Sequence, residues 1–181
     1  EAFGTKPDLL VYAGVRAEMF LANNFPEKDF AQIQEAFDNI QKIAPKQVVI
    51  IKIGNNNIIR EFSLIEQPCY EEQTIVGDNV FIMQGVHISH DCHIYDNSVI
   101  TNMPVVAGIV KILDGANIAM GCTINQYTVI GQYSIVATNS ACMKNVKPFS
   151  RYIPEKPTSV NSYAIKKYGF EDYTEEIENY V

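Results

Sequence analysis

Val76–Lys147 reads VGDNVF IMQGVH ISHDCH IYDNSV ITNMPV VAGIVK ILDGAN IAMGCT INQYTV IGQYSI VATNSA CMKNVK, an unbroken series of six-residue units. The first position is Ile or Val in every unit until Cys142. The fifth is small or compact throughout, from Val80, Val86 and Cys92 to Ser134, Ser140 and Val146. Neither a helical period of 3.6 nor simple strand alternation produces this pattern, but stacked repeats do. Six residues make one side of a triangular coil and eighteen a full turn, with successive turns at strand spacing of about 4.8 Å. The spacing predicts a left-handed parallel β-helix of about five coils. First-position aliphatics fill the prism, and fifth-position residues fit beside its corners. Corner segments such as Gly77-Asp78-Asn79, Asp96-Asn97 and Asp114-Gly115 carry residue types that tolerate positive φ.

Working outward, Ile53, Ile59 and Ile65 hold the same register upstream, and residues 66–75 break it as a loop extruded from one corner. The solenoid is thus expected over 48–147. Residues 1–47 form an extension without hexads, in which Phe30, Ile33, Phe37, Ile40 and Ile43 recur at helical spacing. An amphipathic helix is predicted over 27–43, its apolar stripe used for packing. Residues 148–181 leave the repeat, and Ser159–Tyr168 and Asp172–Tyr180 read as two short helices separated at Gly169 that cap the last coil.

The 181 residues carry a net charge of −7 and show no basic stripe, which argues against nucleic acid as a partner. No apolar run approaches the roughly 20 residues of a membrane span, and nothing at the start reads as a signal peptide. Cys69, Cys92, Cys122 and Cys142 lack zinc-type spacing, and the latter three fall at inward positions. Reduced core thiols are expected, in the cytoplasm or an organelle matrix.

The three histidines, His87, His90 and His93, lie within seven residues. On a helix they would share a face and imply metal. On hexads, His87 and His93 project from different sides while His90 occupies a corner, so no metal is expected. Eighteen residues beyond His90 stands Gly108, and eighteen further Gln126. The three should stack along one edge as an imidazole, an uncovered backbone N–H and a carboxamide. Asp91 adjoins the imidazole as an orienting carboxylate. Such a set suits acyl transfer to a hydroxyl, with the imidazole as base and the glycine N–H aimed at the oxyanion. A polar corner with no chemistry is the plain alternative.

At these residues the chain resembles the UDP-N-acetylglucosamine O-acyltransferases that begin lipid A synthesis. The likeness runs from Ile53 to Phe170 and includes IGNNNIIREF, HISHDC, Ala107-Gly108, Asn125-Gln126-Tyr127, NVKPFSRYIPEKPTSVN and IKKYGF. The resemblance implies His90 as general base, Asp91 as its support, Gly108 as oxyanion donor, and His87 and Gln126 as substrate contacts. Asn125 stands beside Gln126 where the family has a histidine, and Ile109 replaces the histidine that follows the glycine. It further implies transfer of a 3-hydroxyacyl group from acyl carrier protein to a sugar-nucleotide hydroxyl, in a homotrimer with sites between subunits and without a cofactor. Glu171, Asp172, Glu175, Glu176 and Glu178 would repel an acidic carrier. Two other functions therefore stand beside the first: a non-catalytic β-helix subunit of a larger assembly, and a sugar-nucleotide N-acyltransferase using acyl-CoA.

Overall fold

A computed structural model describes residues 50–181 together with Ala31, Gln34, Glu35 and Asp38. Those four are helical, and Gln34 donates to Asp38 at 3.1 Å. The rest of the helix expected over 27–43 lies outside the described residues. The chain divides into two units, Glu1–Val49 and Ile50–Val181.

The second unit is the left-handed parallel β-helix that the hexads predict. Its strands are mostly residue pairs at hexad positions six and one. Three stacks form its sides. One contains β1 (Ile50–Ile53), β4 (Gln73–Val76), β7 (His93–Ile94), β10 (Lys111–Ile112) and β13 (Val129–Ile130). Another runs through β3 (Leu64–Ile65), β6 (His87–Ile88), β9 (Val105–Val106), β12 (Thr123–Ile124) and β15 (Ala141–Cys142). The third has β2 (Ile58–Ile59), β5 (Phe81–Ile82), β8 (Val99–Ile100), β11 (Asn117–Ile118) and β14 (Ile135–Val136). From β4 to β15 pairing is parallel with an eighteen-residue offset, as in Lys111 opposite His93 and Val129, whereas the pairs that span the extruded segment are further apart in sequence, as in Ile58 opposite Phe81. Every first-position side chain from Val76 to Cys142 is buried, and the fifth-position residues fill the space beside them. Cys92, Cys122 and Cys142 are free core thiols, and burial pushes those of Cys92 and Cys142 up to about 11.

Each corner turns on the fourth hexad position, which has positive φ in every unit from Asn79 to Asn139. Gly, Asn and Asp fill many of these slots, but Met103, Ile109, Tyr127 and Tyr133 also occupy them. The corner is therefore imposed by the stacked strands on either side and not by local preference alone. Ile109 pays the most for this, because a β-branched side chain crowds its own backbone in the left-handed region.

Two boundaries differ from the sequence reading. The break in register ends at Glu72, not Ile75, because Gln73–Ile75 pair with β1 as part of β4. Glu66 is still in register, its N–H donating to Ile88 O at 2.9 Å. At the other end, Ser159–Val160 form a strand, β17, antiparallel to β16 (Ser150–Tyr152), which itself extends the third side. The helix expected from Ser159 begins only at Ser162, where the Asn161 side chain caps it. That helix, α1 (Ser162–Tyr168), stops at Gly169 in the left-handed region; a 3-10 turn over Glu171–Tyr173 leads into α2 (Thr174–Tyr180).

Candidate active site

His90 and Asp91 are the third and fourth residues of one corner. The coil below them is interrupted by the extruded segment, so the usual corner bond has no carbonyl to reach. Elsewhere the fourth-position N–H donates to the third-position carbonyl one coil earlier, as Ile109 does to His90 O at 3.0 Å. Asp91 N–H donates to Thr74 Oγ1 instead, also at 3.0 Å.

The extruded segment folds back onto this corner. Asp91 Oδ1 accepts the N–H groups of Cys69 at 2.9 Å and Glu71 at 3.0 Å, and Oδ2 accepts that of Tyr70 at 3.1 Å. Three successive amides thus form an anion-binding concavity around one carboxylate. The same Oδ2 lies 2.8 Å from His90 Nδ1. The carboxylate is fully buried, while the imidazole keeps 23% of its surface. Burial alone would raise the pKa of Asp91. The His90 hydrogen bond and the amides of Glu71, Cys69 and Tyr70 outweigh it and hold the carboxyl below its ordinary range. An ionised Asp91 requires the proton of a neutral His90 to sit on Nδ1, leaving Nε2 with its lone pair.

Gly108 stands one coil on. A Cβ there would run into His90 Cε1 and come within 2.6 Å of Nε2, so the ring occupies the space a side chain would need. Among the described residues, the Gly108 N–H has no hydrogen-bond acceptor. The same third-position N–H of Asp78 is taken by the Asp96 carboxylate at 2.8 Å. Gly108 O accepts from Tyr127 N at 3.3 Å, which puts Gln126 next in the column. Gln126 and Asn125 are both exposed. The structure thus stacks His90 on Gly108, with Gln126 the next residue of the same backbone column.

His87 projects from β6 and His93 from β7, on different sides of the prism. Among the described residues no three His, Cys, Asp or Glu side chains converge on a common point. His87 Nε2 lies 2.8 Å from Glu66 Oε1, whose other oxygen accepts the His90 backbone N–H at 3.2 Å. The Tyr70 ring meets His90 edge-on, with centroids 5.6 Å apart. Sequence reasoning missed Glu66, Tyr70, Thr74 and the three amides. Glu66 alone had a legible signal: it is the last residue in register before the break, one coil below Ser89 and so diagonal to both histidines.

Comparison with known proteins agrees with this fold. The UDP-N-acetylglucosamine acyltransferase of Francisella novicida superposes with a TM-score of 0.68 at 29% identity, covering 72% of this chain and 50% of that one. The chain is similar to the UDP-N-acetylglucosamine acyltransferases. The enzyme of that name from Campylobacter jejuni gives a TM-score of 0.67 at 26% identity, over 75% of this chain and 60% of its own. An acyl-[acyl-carrier-protein]–UDP-N-acetylglucosamine O-acyltransferase of Thermodesulfovibrio yellowstonii is 49% identical over 43 residues, which are 23% of this chain and 17% of that protein. This chain therefore spans only part of the length of these relatives, about half of the Francisella protein. No family model matches it.

Proposed function

We propose that the protein is an acyltransferase that moves a 3-hydroxyacyl group from the thioester of an acyl carrier protein to a hydroxyl of a UDP-N-acetylglucosamine-type sugar nucleotide. His90 Nε2 removes the hydroxyl proton as the oxygen attacks the thioester carbonyl. The Gly108 N–H stabilises the resulting oxyanion. As the C–S bond breaks, the imidazolium returns its proton to the departing thiolate. Asp91 holds the ring and offsets its transient charge. His87, Gln126 and Asn125 contact the sugar nucleotide. The reading rests on one observation: Asp91 occupies Nδ1 while the other edge of the ring lies against a glycine whose amide is unused.

By the same resemblance the assembly is a homotrimer with sites between subunits, working in the cytoplasm or an organelle matrix. The exposed acidic run from Glu171 to Glu178 favours a second reading, in which acyl-CoA replaces the carrier protein and an amino sugar nucleotide is the acceptor. Incubation with UDP-N-acetylglucosamine and 3-hydroxyacyl carrier protein tests both. Product should form and fall by about 10³-fold or more in His90→Ala. Preference for a CoA thioester selects the second reading. No transfer from either donor, with fixed-stoichiometry co-purification of other proteins, would make this a structural subunit.

A further inference from the structure

Two histidines on this corner are each paired with a carboxylate, and the pairs have opposite sense. Asp91 meets His90 at Nδ1, whereas Glu66 meets His87 at Nε2, a nitrogen whose only other hydrogen-bond partner among the described residues is Ser89 Oγ at 3.5 Å. Glu66 does more than bind one ring. Its second oxygen accepts the His90 N–H, a third-position amide, a class that has no backbone acceptor in any hexad of the described solenoid. One side chain therefore spans from the sixth position of one hexad to the third of the next.

We infer that Glu66 is a positioning residue of the acyl-transfer site, fixing His87 as the Nε2–H tautomer and tying it to the His90 backbone so that the two imidazoles and the extruded segment hold one geometry. The inference rests on the function proposed above for His90. Its consequence for His87 is chemical: with the Nε2 proton committed to Glu66, the neutral ring offers Nδ1 as an acceptor and is suited to a substrate hydroxyl or N–H, not to a carbonyl or phosphate oxygen. Glu66 and His87 each keep about a third of their surface, 37% in both cases, so the pair is reachable by a ligand while still partly shielded. A carboxylate at this point also disfavours an anionic group beside His87, which places any phosphate of the substrate elsewhere.

Long-range ¹H–¹⁵N spectra of the imidazoles of the ¹⁵N-labelled full chain test the inference without requiring turnover. There are three histidines to assign. His87 is expected to carry its neutral-state proton on Nε2 and His90 on Nδ1. In Glu66→Gln, the His87 tautomer should become mixed, with no more than a small change in melting temperature. In the transfer assay the same variant should lose about tenfold in kcat, with KM for the acceptor raised. A wild-type His87 found as the Nδ1–H tautomer would overturn the inference. So would a Glu66→Gln protein with unchanged tautomers, or one whose only defect is stability. If wild-type protein transfers no acyl group, the proposed function fails while the spectra still decide the role of Glu66.

Discussion

Gly108 matters because it contributes no side chain at the point where the His90 ring lies. The position does not need a left-handed backbone, so alanine there meets a steric conflict and not a conformational one. Gly108→Ala should push the ring off its place and reduce kcat by about 100-fold, with a melting temperature close to wild type. Its neighbour poses the opposite problem. Ile109 has φ of +61°, in a region that costs a β-branched residue roughly 1–2 kcal/mol. Ile109→Asn should therefore raise the stability of the fold by about 1 kcal/mol in chemical denaturation, despite the loss of some apolar contact. Where the resemblance implies a histidine, this chain has a strained aliphatic. Nothing in the structure explains that choice.

At the scale of elements, the extruded segment joins the corner to the solenoid below it through Asp91. Folding lowers the pKa of this carboxyl, so the unfolded chain binds its proton more readily. The sign follows directly: the contribution to stability is complete above the unfolded value near pH 4 and is lost as pH falls through the lower, folded value. Amide exchange at Cys69, Tyr70 and Glu71 should accelerate across that acidic window relative to the core strands, and Asp91→Asn should show the faster exchange already at neutral pH. A segment released at the same rate in both proteins would remove Asp91 as its anchor. The hexads disclosed the break in the repeat but not its far boundary. Gln73–Ile75 follow no first-position aliphatic and become strand because β1 on one side and β7 on the other offer β4 its partners.

Across the whole molecule, the described solenoid is a column of nearest-neighbour coils, and its charge is distributed unevenly along it. Glu171, Asp172, Glu175, Glu176 and Glu178 are all exposed beyond the last coil. If an acidic carrier protein is the donor, replacing Glu175, Glu176 and Glu178 together with Gln should lower its KM several-fold at low ionic strength. The difference should vanish in high salt, where charges beyond a few ångströms are screened. A KM unmoved by either change would point to the CoA donor. The sequence by itself determined the solenoid, its core and the column of His90, Gly108 and Gln126, because a six-residue side fixes which residues become vertical neighbours without knowledge of any distant contact. Only the tertiary structure decided how that column is held. The amides that cradle Asp91 belong to a segment with no repeat, whose backbone donors carry no side-chain signature. The reach of Glu66 across to two histidines likewise depends on how far the chain folds back after leaving register, which periodicity does not encode.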